Sequence, residues 1–183
     1  ADKARNGAMS RLGPVYMQAR LDKAGGLVAP DANSTLRVTF GTVKGVSPQD
    51  GIFYLPQTTL QGVVAKARPG DKDYDAPPAL LAAAAKVLAT GKGPFVDPKL
   101  GDVPVNFLSD VDTTGGNSGS AVLNAKGKLV GLLFDGTYEA LASDLLFDPV
   151  DTRSIQVDIR YVLWVASQVS GAARVVQELG VKP

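Results

Sequence analysis

Apolar residues recur along this 183-residue chain with two periods, one helical and one of strands. Over residues 8–23, Leu12, Val15, Tyr16, Ala19 and Leu21 follow helical spacing, which predicts an amphipathic helix that continues past Gly13-Pro14 and stops at Gly25-Gly26. A polar connector, 29–34, holds Pro30, Asp31 and Asn33, and its Asn33-Ser34-Thr35 is an acceptor triplet for glycosylation of little weight. Residues 36–40 alternate apolar with polar side chains and the pattern resumes over 43–46, predicting a strand bent near Gly41. A Pro-Gln-Asp-Gly turn at 48–51 leads into a partner strand at 52–55. Thr58 and Gln61 have the spacing of a capping box for a short helix through Ala67, which Arg68-Pro69-Gly70 ends. Pro77-Pro78 open a second helix through the alanine-rich 80–89, with Gly91-Lys92-Gly93-Pro94 as its terminator. Strands follow at 103–108, 121–124 and 128–134, the last two joined as a hairpin, and then at 154–158. Asp158 caps a final helix carrying Tyr161, Val162, Trp164 and Val165, with Trp164 read as core, and Val175, Val176 and Leu179 form a last amphipathic turn after Gly171.

Between the strands at 103–108 and 121–124 lies the stretch with the most chemistry, Asp-Thr-Thr-Gly-Gly-Asn-Ser-Gly-Ser at 112–120. Glycines on both sides of Ser118 let the backbone take a tight turn with the hydroxyl exposed at its apex. Such a turn aims successive N–H groups at one spot, and Gly116, Asn117 and Ser118 are the candidate donors to an oxyanion, provided Gly116 stays small. The long polar stretch 135–152 carries five carboxylates and Pro149, a length at which loops are often functional. Asp71, Asp73 and Asp75 alternate as in a calcium loop, but Ala76 and Ala82 stand where its glycine and glutamate would be, so they read as a solvated loop.

Composition then narrows the chemistry. Nineteen basic residues against eighteen acidic ones leave a net charge of +1 with no dense basic run, which does not indicate nucleic acid or an anionic membrane as partner. No apolar run is long enough to span a bilayer. Without cysteine there are no disulfides, thiolate zinc sites or thiol catalysis, and no cofactor is expected. Histidine is absent too, so the chain cannot by itself complete a Ser-His-Asp triad. Three explanations remain: a structural serine, a lysine acting as base, or a longer protein that carries the histidine elsewhere. A chain that opens at Ala1, with neither start methionine nor signal peptide, favours the third.

The run 30–56, the Gly-Gly-Asn-Ser-Gly-Ser string with its strand at 115–124, Phe134-Asp135-Gly136, and Val157-Asp-Ile-Arg-Tyr161 together resemble the bacterial serine dipeptidyl peptidases of the BII, seven and eleven types, of the chymotrypsin clan. The resemblance covers nearly the whole chain. It implies the C-terminal part of a larger enzyme with a double β-barrel and an inserted helical domain, the catalytic His and Asp lying upstream. It also implies Ser118 as nucleophile, the 116–118 backbone as oxyanion hole, and Asp135 as partner of the substrate's α-ammonium. Gly136 matches the position that shapes the pocket for the residue before the cut (P1), where glycine goes with aliphatic or aromatic preference and arginine with acidic preference. One departure is Ala121, where the family usually has proline.

The expected fold is therefore mainly β with helices: a helical lead-in over 1–33, the second β-barrel over 34–158 with helical insertions near 58–67 and 78–90, and a C-terminal helix over 159–183. The expected partners are peptides with a free N-terminus and the N-terminal part of the same enzyme, and a homodimer is compatible with this reading. The expected location is periplasmic, cell-surface or secreted. The fragment alone is expected to be inactive. An endopeptidase of the same clan, which has no need of Asp135, and a non-catalytic binding barrel that keeps the turn for structure are the alternatives.

Overall fold

The computed structural model describes residues 2–26, 28, 35–143 and 147–181. The connector 29–34, including Asn33 and Ser34 of the acceptor triplet, lies outside them. The chain divides into two compact units, Ala1–Val38 and Thr39–Pro183.

Among its described residues the first unit holds one helix, α1 (Asp2–Ala24), which starts six residues before the predicted 8–23 and runs through Pro14. Asp2 in the first turn and Lys23 in the last complement the helix dipole. Its apolar side chains, Met9, Leu12, Val15 and Tyr16 among them, stay exposed.

Among its described residues the second unit holds seven strands. β1 (Val46–Gln49) and β2 (Ile52–Tyr54) form a hairpin closed at Gly51, whose φ of +77° suits glycine. Next come β3 (Gln57–Thr59), β4 (Pro104–Ser109), β5 (Ala121–Leu123), β6 (Leu129–Gly136) and β7 (Ser154–Asp158), which build an antiparallel sheet in the order β3-β4-β7-β6-β5. The architecture is thus mixed, antiparallel sheet with helices. Residues 36–40 are not the strand their alternation predicts. Leu36, Val38 and Phe40 are exposed and no described strand runs beside them, so the backbone has no ladder to join until Val43 bridges Ser109.

The helices described in this unit are α2 (Leu60–Lys66), α3 (Pro78–Thr90), α4 (Ile159–Trp164), continued by a π turn over Val165–Val169, and α5 (Ala173–Glu178). The capping box expected at Thr58 does not form. Thr58 lies in β3, where its Oγ1 accepts the Asn106 N–H at 3.2 Å, and the start of α2 is served instead by Asp102, whose Oδ2 accepts the Gln61 N–H at 3.0 Å. A carboxylate reaching across 41 residues does the work that the local spacing suggested for a threonine. α3 follows its prediction, ending at Gly91 with φ +61°.

Leu60, Leu80, Ala84, Val87, Val103, Val105 and Trp164 make one core between these helices and the sheet. Trp164 is fully buried, as read from the sequence, with its ring stacked on Tyr161 at 6.2 Å. Asp158 caps α4 as expected: its Oδ1 accepts the Arg160 N–H at 2.9 Å. The Arg160 guanidinium donates to Asp158 and, at 2.6 Å, to Asp97, tying the 97–102 bridge to the helix start.

Strand β7 turns polar side chains inward. Ser154, Gln156 and Asp158 are buried, while Ile155 and Val157 are only half-buried. Each of these side chains has a partner, although Gln156 Oε1 is buried without one among the described residues. Ser154 Oγ donates to Val111 O at 3.0 Å and shares a hydrogen bond with Thr113 Oγ1; Gln156 Nε2 donates to Ser109 Oγ at 2.8 Å. This polar seam fixes the exit of β4, and so the path of the chain toward Ser118.

Candidate active site

The turn that carries Ser118 is held by its own backbone. Asn117 N–H donates to Thr114 O at 3.2 Å, Asn117 Oδ1 accepts the Thr114 N–H at 2.8 Å, and Ser120 N–H donates to Asn117 O at 3.0 Å. The asparagine is therefore a brace inside the turn. Its N–H is engaged, whereas the N–H groups of Gly116 and Ser118 make no hydrogen bond among the described residues. Gly116 has φ +95°, outside the range that side-chain-bearing residues readily take, yet a Cβ there would meet nothing within 4 Å. The sequence reading asked for a small residue; what the turn requires is the backbone conformation, not the space.

Two further bonds dock the turn on β6: Gly119 N–H donates to Leu133 O at 2.7 Å, and Leu133 N–H donates to Ser120 O at 3.0 Å. They prolong the β5–β6 pairing by two residues, so Ser118 stands beside the end of β6. There the register against β7 slips, Leu133 facing Gln156 and Asp135 facing Ile155. The extra residue, Phe134, is a bulge of the kind that re-aims the side chains after it. Asp135 follows it, exposed, with Oδ1 accepting the Gly136 N–H at 2.8 Å.

Ser118, Asp135 and Gly136 line one cleft of about 240 Å³, together with Thr113, Leu133, Ala140 and Ser143. Its outer wall is the 3-10 turn Tyr138–Ala142, anchored by Thr137 N–H donating to Arg153 O at 2.9 Å. Arg153 is buried, and its guanidinium donates to the carbonyls of Gly45, Pro149, Val150 and Thr152. The sequence reading put Asp135 and Gly136 at the start of a polar loop; they are the last two residues of β6. It missed Thr113, Ala140, Ser143 and Arg153, and only the buried polar alternation of β7 carried a signal for the seam that holds Thr113. Among the described residues no Lys or Arg lines the cleft, and the chain has no histidine to take the proton of Ser118 as imidazole does.

The peptidase S46 family model matches residues 1–181. The chain belongs to the peptidase S46 family. Among curated S46 relatives, the Asp/Glu-specific dipeptidyl-peptidase of Shewanella putrefaciens is 43% identical over 98% of this chain and 27% of its own length. Dipeptidyl-peptidase 7 of Phocaeicola vulgatus is 43% identical over 82% of this chain and 20% of its own length. The crystal structure of Porphyromonas endodontalis DPP11 in complex with substrate superposes with a TM-score of 0.81 at 39% identity, covering 92% of this chain and 24% of that one. The chain thus spans about a quarter of the length of these relatives.

Proposed function

We propose that this chain is the part of a serine dipeptidyl peptidase that supplies the nucleophile, the oxyanion donors and the grip on the substrate's N-terminus. The observation that carries the reading is the meeting of Ser118, Asp135 and Gly136 at one cleft. Ser118 Oγ attacks the carbonyl of the second residue, and a histidine from the upstream three quarters of the enzyme, oriented by an aspartate, takes its proton and returns it to the leaving amine. The oxyanion is received by the N–H groups of Gly116 and Ser118, both without another partner among the described residues. Water then hydrolyses the acyl-enzyme and frees the dipeptide. Asp135 pairs the α-ammonium, which fixes the cut two residues from the end and disfavours blocked substrates.

The P1 preference is apolar. Among the described residues the cleft has no cation to compensate a desolvated carboxylate, and Leu133, Ala140 and Leu141 supply apolar wall. A double β-barrel completed by upstream strands, a homodimer and a place outside the bacterial cytoplasm belong to the same proposal.

The test is a panel of fluorogenic dipeptidyl substrates on the full-length enzyme, with free or acetylated N-termini and P1 of Leu, Phe, Asp or Glu. Free substrates with Leu or Phe should be cleaved best, and Asp135→Asn should lower kcat/KM for them by about 2–3 kcal/mol, the worth of a charge-assisted bond. Equal cleavage of acetylated peptides would instead make the enzyme an endopeptidase. Preference for Asp or Glu would remove Gly136 from the P1 pocket.

A further inference from the structure

Gly136 does not face open space. A Cβ built on it would sit 2.9 Å from the Cβ of Ala140, nearer than such atoms approach, and both residues line the cleft that holds Ser118. Ala140 already occupies the volume into which a side chain at 136 would grow. Its position is determined from both sides: Ala140 N–H donates to Thr137 O at 2.9 Å, and Ser143 N–H donates to Ala140 O at 3.0 Å. Ser143 Oγ in turn reaches Thr113 O at 3.5 Å, on the segment that leads to Ser118. The turn bearing Ala140 is therefore tied to the β6 end and to the nucleophile's own loop.

We propose that Ala140 is a second specificity-determining residue, setting with Gly136 the depth of the P1 pocket. The inference rests on the assignment of Ser118 as nucleophile and Gly136 as P1 wall. With glycine at 136, the methyl group of Ala140 becomes the wall that a P1 side chain meets. Hydrophobic pockets discriminate a methylene by roughly 10-fold or more, so a change of one or two carbons at 140 should be read in the preference among apolar P1 residues.

The experiment compares Ala140→Gly and Ala140→Val in the full-length enzyme, using free dipeptidyl substrates with P1 Ala, Leu or Phe and one common P2. Ala140→Val should lower the Phe-over-Ala ratio of kcat/KM by about 10-fold or more, and Ala140→Gly should raise it severalfold. A purely structural role would depress all substrates together and leave the ratios alone. Should Ala140→Val not fold, the ratio for Ala140→Gly decides. Ratios that stay within about twofold of the unmutated enzyme, or that move the same way in both variants, overturn the proposal. An unmutated enzyme with no dipeptidyl activity would fail at the assignment of Ser118 and Gly136, and the inference would fall with it; an active enzyme with unmoved ratios sinks the inference alone.

Discussion

Gly116→Ala separates the backbone requirement of the serine turn from everything else at the site. Because a Cβ at 116 meets nothing within 4 Å, the substitution creates no clash, and its whole effect arises from the φ of +95°. Holding a side-chain-bearing residue on the positive-φ side costs about 1–2 kcal/mol, and the turn can relieve that cost by rotating the peptide, which takes the Gly116 N–H away from the oxyanion. Loss of one such donor typically lowers kcat about 10²- to 10³-fold, or roughly 3–4 kcal/mol. The expected result in the full-length enzyme is therefore a fall in kcat of at least about 100-fold with KM little changed, and a stability loss of only about 1–2 kcal/mol. Gly127→Ala is the control. It sits in the β5–β6 hairpin with φ +71° and open space for a Cβ, so it carries the same conformational cost away from the cleft. Steady-state kinetics and thermal melts on both variants give the comparison. A Gly116→Ala enzyme that keeps its kcat while losing the same stability as Gly127→Ala would show that the Gly116 N–H does not receive the oxyanion.

Two other outcomes follow from the same geometry. Gly136→Arg should move the kcat/KM ratio of Asp or Glu over Leu or Phe by about 100-fold, through a forked donor for the carboxylate and a filled pocket, and the shift should grow when Ala140→Gly removes the methyl 2.9 Å from the new Cβ; a ratio that moves in neither variant refutes it. Acid should destabilise the fold through Asp97 and Asp110. The hydrogen bond from Arg160 holds the Asp97 carboxyl below its ordinary 3.8, and the Thr42 N–H does the same for Asp110, so both stabilise the folded state above that value and lose the contribution as pH falls through the lower folded one. Denaturation midpoints should be level from about pH 7 to 5 and fall below about pH 4, and Asp97→Asn should flatten that fall; an unchanged acid slope would exclude Asp97 as a contributor.

What was legible in the sequence is what local physics decides. The helix from Pro78 to Gly91, the cap at Asp158, the buried Trp164 and the β5–β6 hairpin all follow from spacing, caps and turn residues within a few positions of one another. The failures share one cause, a partner far along the chain. Thr58 has the spacing of a cap, but Asp102 arrives from β4's side to serve α2, and Thr58 is drawn into β3 against Asn106. Leu36, Val38 and Phe40 alternate as a strand does, but alternation only prepares a ladder that a neighbour must complete.

The site divides along the same line. Gly116, Asn117 and Ser118 are contiguous, so their turn is written in seven residues, down to the glycine whose φ of +95° a side chain would resist. The meeting of Ser118 with Asp135 and Gly136 is not local. It needs Gly119 and Ser120 to bond Leu133, a bulge at Phe134 to redirect the strand end, and β7 to turn Ser154 inward against Thr113. That last step inverts the usual rule, since Ser154, Gln156 and Asp158 take the buried positions while Ile155 and Val157 are left half-covered. A strand buries polar side chains where they find partners, and for Ser154 and Gln156 these are Val111 O and Ser109 Oγ, on the segment that leads to Ser118. The inverted alternation of 154–158 is thus the place where the sequence carries information about the site without containing any residue of it.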